Sequence, residues 1–279
     1  MAHPYRSVLY LPGSRERVLE KAKTLAADAL ILDLEDAVTP NDKQEARALV
    51  ANRVQAGGYG ARKVLIRING LDTMWGRDDL TAAIAAMPDG ILIPKVNTGA
   101  DLVAIAPQLR GKTRLWAMME TPLGIMNAAE IARSTDMLTG FVIGTNDLVK
   151  DLFASHTPDR IAVMTSLSMC LLAARAHGLI CVDGVYNAFK DQAGLEAECQ
   201  QGRDMGFDGK TLIHPAQLDT ANRVFAPSPA DLALAQRYIE AFNNAKGIAV
   251  VDGKIVENLH VENAMRLLAK SAQIKKLGE

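Results

Sequence analysis

The chain has 279 residues, 49% hydrophobic and 23% charged, with a formal net charge of −1. A chain of this length buries roughly three quarters of its unfolded surface, so one large packed core is expected. The near-neutral balance excludes wholesale binding to nucleic acid or membrane, and nowhere do 18 apolar residues run together as a membrane span would require. Cys170, Cys181 and Cys199 are odd in number and lack CxxC spacing, so they read as buried, reduced thiols rather than as a disulfide framework or a zinc site. The N-terminal stretch MAHPYRSVLYLPGSRER holds too short an apolar run for a secretory signal, and a cytoplasmic protein is expected.

One rhythm repeats along the chain: a short apolar run, a polar turn, then a stretch with the 3.6-residue period of an amphipathic helix. The runs cover residues 7–11, 29–34, 63–68, 90–94, 114–119, 140–143, 179–183 and 210–213. Helix-like segments lie between them, at 15–27, 43–54, 101–109, 126–133, 160–177 and 195–205. Alternating units of this kind predict an α/β fold, and eight of them predict a (β/α)8 TIM barrel rather than an open sheet. No Pro/Gly/Ser-rich linker interrupts the middle. A single domain is therefore expected, with a barrel core over 1–222 and C-terminal helices with a lid segment over 223–279.

In such a barrel the chemistry sits at the C-terminal ends of the strands, and polar residues do follow each run. Asp33, Glu35 and Asp36 follow the second, Arg67 and Asn69 the third, Lys95 the fourth, Glu120 the fifth, Asn146 and Asp147 the sixth, Asp183 the seventh and His214 the eighth. Asp and Asn also serve as helix N-caps, which is the plainer reading for Asp183 and an equal one for Asn146 and Asp36. His214, just before Pro215, reads first as a structural turn. Glu120 is different: Glu is a weak N-cap, and Thr121 and Pro122 supply the capping chemistry after it. Two carboxylates, Glu120 and Asp147, on neighbouring strand ends suit a hard cation such as Mg2+, which takes one or two protein carboxylates and completes its shell with water and substrate oxygens. That is a Lewis-acid site.

The stretches RSVLYLPGS (6–14), LDLEDAV (32–38), VLIRING (64–70), DTMWGRDDL (72–80), LIPKV (92–96), METPLGI (119–125), GTNDL (144–148), GFDGKTLIHPAQ (206–217) and VDGKIVEN (251–258) run in order over nearly the whole chain. In them the chain resembles the citrate lyase β-subunit and malyl-CoA lyase group of the HpcH/HpaI aldolase family, whose fold is a barrel of the phosphoenolpyruvate-binding type. The resemblance implies a Mg2+-dependent enzyme, with Mn2+ as the alternative ion, that cleaves a β-hydroxyacyl thioester of the malyl, citramalyl or citryl type. The products would be an acyl-CoA and an α-keto acid, and the substrate would ride on CoA or a carrier arm. It implies Glu120 and Asp147 as metal ligands and Arg67 as a contact to substrate oxygens, a task a guanidinium fork suits. An ion pair of Arg67 with Asp33 or Glu35 is the alternative role, and both roles could coexist. Asp33, Glu35 and Asp36 are implied near the metal, where crowding raises a carboxylate's pKa unless a cation neutralises it.

The resemblance also implies a homotrimer and places nucleotide contacts near the first strand, at Arg6, with Arg15 and Lys21 in the same basic cluster. A solvated helix face is the plainer reading for Arg15, Arg17 and Lys21. The family's late motif ends in an aspartate followed by a proline; here Glu257 stands at that position without the proline. That departure puts thioesterase or malate-synthase-like side activity in doubt. Three other readings stay open. One is a Schiff-base aldolase using Lys95, with Lys210 less suitable because it starts its strand and would face the opposite rim. The others are a metal aldolase acting on free keto acids, and a barrel that binds CoA esters without catalysis. Motifs of the GxGxxG, P-loop or GxSxG type are absent.

Overall fold

The computed structural model describes residues 3–245 and 248–278. Eight strands, β1 (Ser7–Pro12), β2 (Ala29–Asp33), β3 (Lys63–Arg67), β4 (Gly90–Ile93), β5 (Arg114–Met119), β6 (Leu138–Ile143), β7 (Ile180–Asp183) and β8 (Gly209–Leu212), pair in parallel and in chain order. β1 also pairs with β8, which closes the sheet into a barrel. With helices between successive strands, this is the (β/α)8 architecture that the eight apolar runs predicted.

The strands read as near-continuous apolar runs because both of their faces are buried. Ala29 and Ile31, Leu65, Leu92, Trp116 and Met118, Val142 and Val182 fill the barrel interior. The residues between them, such as Leu30, Leu32, Phe141 and Cys181, are equally buried on the other face. Trp116 lies across the interior: a Cβ on Gly90 would come within 2.7 Å of its indole, and so would one on Gly140. Both strands stay glycine there because the ring needs the space. Continuing the interior rows by two residues toward the C-terminal rim reaches Asp33, Arg67, Glu120 and Gly144. The apolar fill thus ends in a polar layer.

Several helices depart from their predicted spans. The segment predicted helical over 101–109 is a helix over Gly99–Val103 and a 3-10 turn at Ala106–Gln108, because Pro107 cannot continue the ladder. The one predicted over 126–133 is two short helices, Pro122–Met126 and Ala128–Ala132, parted at Asn127. Cys170, Cys181 and Cys199 are free and buried, and burial pushes the thiols of Cys170 and Cys199 up to about 12, so they are inert at neutral pH.

The chain divides into two compact units, Tyr5–Asn222 and a C-terminal one that begins at Arg223 and includes His3 and Pro4. In the C-terminal unit a helix over Pro229–Asn244 opens with a capping box between Ser228 and Asp231. It packs on an antiparallel hairpin of β9 (Ala249–Val251) and β10 (Lys254–Val256), followed by a helix over Asn258–Gly278. Val251, Val256 and Val261 form a small core with Tyr238 and Phe242. The hairpin turns on Asp252 and Gly253, both at positive φ (49° and 75°), the Asp-Gly signature of a two-residue hairpin loop. No described helix is long and apolar enough to cross a membrane.

Candidate active site

Asp33 and Arg67 are register partners on β2 and β3, and both side chains are buried. Arg67 Nε donates to Asp33 Oδ1 at 2.7 Å and the terminal nitrogen Nη2 donates to Oδ2 at 2.6 Å, a fork-to-fork pair. Nη1 lies 2.8 Å from Glu35 and 3.3 Å from Asp36, and the guanidinium carbon sits 5.0 Å from the centre of the Tyr10 ring. Burial alone would lower the arginine's pKa, but Asp33, Tyr10 and Glu35 outweigh it and hold the group cationic. The ion pair is therefore present: Asp33 takes the Nε–Nη2 edge of the guanidinium and Nη1 lies beside Glu35 and Asp36, so a substrate oxygen would have to share donors already engaged.

Asp33 has little capacity left. Besides Arg67 it accepts the backbone N–H groups of Glu35 (2.9 Å) and Ala37 (3.1 Å), which folds the loop after β2. Asp36 is exposed and reaches Arg67 rather than capping a helix; the next helix begins only at Lys43, after a 3-10 turn at Pro40–Asp42. Glu35 is buried, and desolvation pushes its carboxyl above the ordinary range, Arg67 opposing and Asp36 adding to the rise. The crowding of acids inferred from LDLEDAV is thus real, and Arg67 relieves only part of it.

The sequence reading missed what holds this loop. Lys43 is buried, and its ammonium donates to the carbonyls of Leu34 (2.8 Å) and Glu35 (2.6 Å) and to Asn69 Oδ1 (2.7 Å). Asn69 in turn donates to Leu34 O and to the fully buried Asp79, which also accepts from Arg47 Nε. Lys43 lies 5.3 Å from the Trp75 ring centre. Trp75 and Asp79 therefore brace the β2 and β3 ends from outside. A lysine at a helix start carries no pattern that announces this; the acid at Asp79 inside an amphipathic segment was the available clue.

Glu120 directly follows β5 and is buried. Its Oε1 accepts the Lys95 backbone N–H at 2.9 Å, whereas Oε2 is buried with no hydrogen-bond partner. Desolvation, then Glu35 and Asp147, push its carboxyl up to about 8. Thr121 Oγ1 caps the following helix by accepting from Gly124 N, with Pro122 at its first position, as expected. Asp147 lies in the first turn of the helix Thr145–Asp151 after β6, close enough for its charge to act on Glu120 and Lys95. Gly144 leads into that helix; a Cβ there would meet both Cβ and Oε2 of Glu120 at 2.5 Å. Glycine is what allows β6 to pass the carboxylate.

These residues fit a divalent cation. A buried carboxylate oxygen without a donor needs a proton or a cation, and a second carboxylate beside it favours the cation. Among the described residues no group of three or more His, Cys, Asp or Glu is arranged around a metal position, so a cation here would keep most of its shell as water or substrate oxygen, the habit of Mg2+.

The other predicted residues lie elsewhere. Arg6 precedes β1, at the barrel's N-terminal end, and is closed onto Asp28 by Nε at 2.9 Å and Nη2 at 2.7 Å, so the structure does not bring it to the acid layer. Arg15 and Lys21 are exposed at the two ends of the helix Glu16–Lys21, and Arg15 stands on the rim that carries the acids. Glu257 follows β10 in the C-terminal unit, exposed, its N–H donating to His260 Nδ1 at 3.0 Å. Asp183 caps no helix: it is buried against Arg160 (2.8 Å) and Lys210 (3.0 Å). Lys210 faces out of the barrel toward Glu198 (2.6 Å) on the helix Gln192–Met205. Asn146 pairs with Asn187, and His214 accepts from Ala216 N as part of a turn, stacked on Phe189. A cavity of about 200 Å³ opens near the N-terminal end, lined by Tyr5, Lys63, Asp89, Lys112 and Trp116 among others; it holds none of the predicted site residues, and both lysines are paired with Asp89.

The family description "HpcH/HpaI aldolase/citrate lyase" matches residues 6–215. A (3S)-malyl-CoA thioesterase of Cereibacter sphaeroides is 61% identical over 277 residues, covering 98% of this chain and 96% of the relative. The citrate lyase subunit beta of Leuconostoc mesenteroides is 34% identical over 277 residues, covering 94% and 92%. Among solved structures, protein CitE of Mycobacterium tuberculosis in complex with magnesium, acetoacetate and coenzyme A superimposes with a TM-score of 0.82 at 29% identity, over 97% of this chain and 98% of that one.

Proposed function

The chain belongs to the HpcH/HpaI aldolase/citrate lyase family, and on that premise we propose that it is a magnesium-dependent enzyme of malyl-CoA-type thioesters, hydrolysing them to the free β-hydroxy acid and CoA. The observation that carries the metal site is the buried, unpartnered Oε2 of Glu120 beside Asp147. The choice of hydrolysis rests on the relatives at 59–61% identity, which are called (3S)-malyl-CoA thioesterases. It replaces the doubt raised by Glu257 in the sequence reading.

Glu120 and Asp147 would hold the ion. Bound there, Mg2+ would supply Lewis acidity toward the substrate oxygens. Arg67 gathers Asp33, Glu35 and Asp36 around one guanidinium without being consumed by the reaction. Among those acids Glu35 suits proton transfer: Asp33 has its oxygens engaged by four donors, and Asp36 is mostly solvated. Burial gives Glu35 a raised pKa, the condition for exchanging protons nearer neutrality. We assign Glu257 to the hydrolytic step, as the longer counterpart of the family's late aspartate.

Carbon–carbon cleavage to an acyl-CoA and an α-keto acid is the second reading, favoured by the citrate lyase subunit beta relatives and by the ligands of the CitE complex. A Schiff-base route through Lys95 is disfavoured by its charge. Burial alone would lower that pKa, but Glu35, Glu120 and Asp147 together hold it above the ordinary lysine value, the opposite of what a nucleophilic amine needs.

Incubating the protein with (3S)-malyl-CoA, with and without Mg2+, separates the readings. Mg2+-dependent release of free thiol in step with malate, without glyoxylate, is the expected result. Glyoxylate with acetyl-CoA would establish cleavage instead. Loss of thiol release in Glu257→Gln would support that residue's assignment, and an unchanged rate would remove it.

A further inference from the structure

With its fork closed by Asp33, Arg67 is poorly placed to take a second anion, yet a carboxylated thioester approaching four acids needs a cation to meet it. Lys43 is equally occupied, with three N–H donors and three acceptors. Lys95 is not. Its side chain is about half exposed (53%), and among the described residues its ammonium meets one carboxylate, that of Glu35, at 3.6 Å, too long for a hydrogen bond. Most of its donor capacity faces the space above the acid layer.

The backbone fixes where that ammonium starts. Lys95 sits directly after Pro94 at the end of β4 with φ 49°, a conformation L side chains rarely adopt. The main-chain bond from Lys95 N to Glu120 Oε1 and the buried Val96 beside it hold the residue there. Strain of this kind at a site rim points to a functional constraint. The acids from the elements around it are Glu35 and Asp36 after β2, Glu120 after β5 and Asp147 after β6, so the cation stands over the negative layer and is reachable from solvent.

We infer that Lys95 contacts a negatively charged oxygen of the substrate, the task that the occupied fork of Arg67 leaves open; this rests on the thioester reading above. Two oxygens qualify. One is the substrate's free carboxylate, charged throughout. The other is the thioester carbonyl oxygen, which gains charge whether water attacks that carbon or the neighbouring carbon–carbon bond breaks.

The test uses the full chain as wild type, Lys95→Met and Lys95→Arg, with malyl-CoA as substrate and, as a binding probe, its thioether analogue, which keeps the carboxylate and lacks the carbonyl oxygen. A kcat for Lys95→Met lower by about 100-fold, with analogue affinity unchanged, assigns the carbonyl oxygen, since losing one oxyanion donor costs about that much. Analogue binding weaker by about 10-fold, with kcat largely kept, assigns the carboxylate, as expected for losing one charge-assisted bond. Lys95→Arg recovers part of either loss. If kcat, KM and analogue affinity of Lys95→Met all stay within about 3-fold of wild type, less than 1 kcal/mol by the affinity scale, the inference is overturned. Lys95→Gln replaces the Met variant if that one fails to fold. A wild type without Mg2+-dependent activity on malyl-CoA overturns the substrate reading and this assignment with it, whereas an active wild type with an unaffected variant removes the Lys95 contact alone.

Discussion

Asp33 and Arg67 face each other in register on adjacent strands and lock through two hydrogen bonds of 2.7 and 2.6 Å inside the barrel mouth. Their pairing ends the apolar fill and begins the acid layer. Because Asp33 also accepts two backbone N–H groups, it is the joint between strand and loop. Removing one partner of a buried pair leaves the other charge uncompensated, at about 3–5 kcal/mol. Asp33→Ala should lie near the lower end, since Arg67 keeps Glu35 and Asp36. Urea unfolding measures the loss; a midpoint equal to wild type would mean that the pair contributes nothing.

Gly144 gives β6 its passage beside Glu120. A methyl there would meet Cβ and Oε2 of Glu120 at 2.5 Å, so the carboxylate must move. Gly144→Ala should therefore raise the Mg2+ concentration needed for half-maximal activity by about 10-fold or more, because a misplacement of about 1 Å in a site is that costly. An unaltered Mg2+ requirement would show that Glu120 does not need its present position.

Asp183 gives a pH test remote from the chemistry. Burial raises its carboxyl, but Lys210 and Arg160 outweigh that and hold it below the ordinary aspartate range. A depressed folded-state pKa adds stability above the unfolded value, about 3.9, and that stability is lost as pH falls through the folded value. The stability gap between wild type and Asp183→Asn should be full at pH 7 and narrow steadily below about pH 4. Urea melts across that range check it; a gap independent of pH would contradict the account.

How far the molecule was legible from its sequence depended on the range of the interaction. Strand positions are local: burial of both faces made each strand a continuous apolar run, and the run ends pointed to Asp33, Arg67, Glu120 and Asp147 without knowledge of their neighbours. What Arg67 binds is a tertiary fact, fixed by the register of β2 against β3, so sequence left the fork's occupancy open. Lys43 and Arg160 act through contacts 8 to 26 and 23 to 41 residues away, respectively, and neither stands in a recognisable motif. Arg6 came from the family resemblance alone, and sequence could not show that it closes onto Asp28 at the barrel's N-terminal end, since a residue before a parallel strand starts at the opposite end from the loop that follows it. The β9–β10 hairpin could have been found, since Asp252-Gly253 between two apolar pairs is a local turn signal.

Whether Glu120 and Asp147 share one divalent cation is tested, without any substrate, by Mn2+ binding followed by electron paramagnetic resonance. The wild type should bind one Mn2+ that Mg2+ displaces, and Glu120→Gln and Asp147→Asn should each lose that binding while melting as folded proteins. Mn2+ affinity unchanged in either variant would contradict the site.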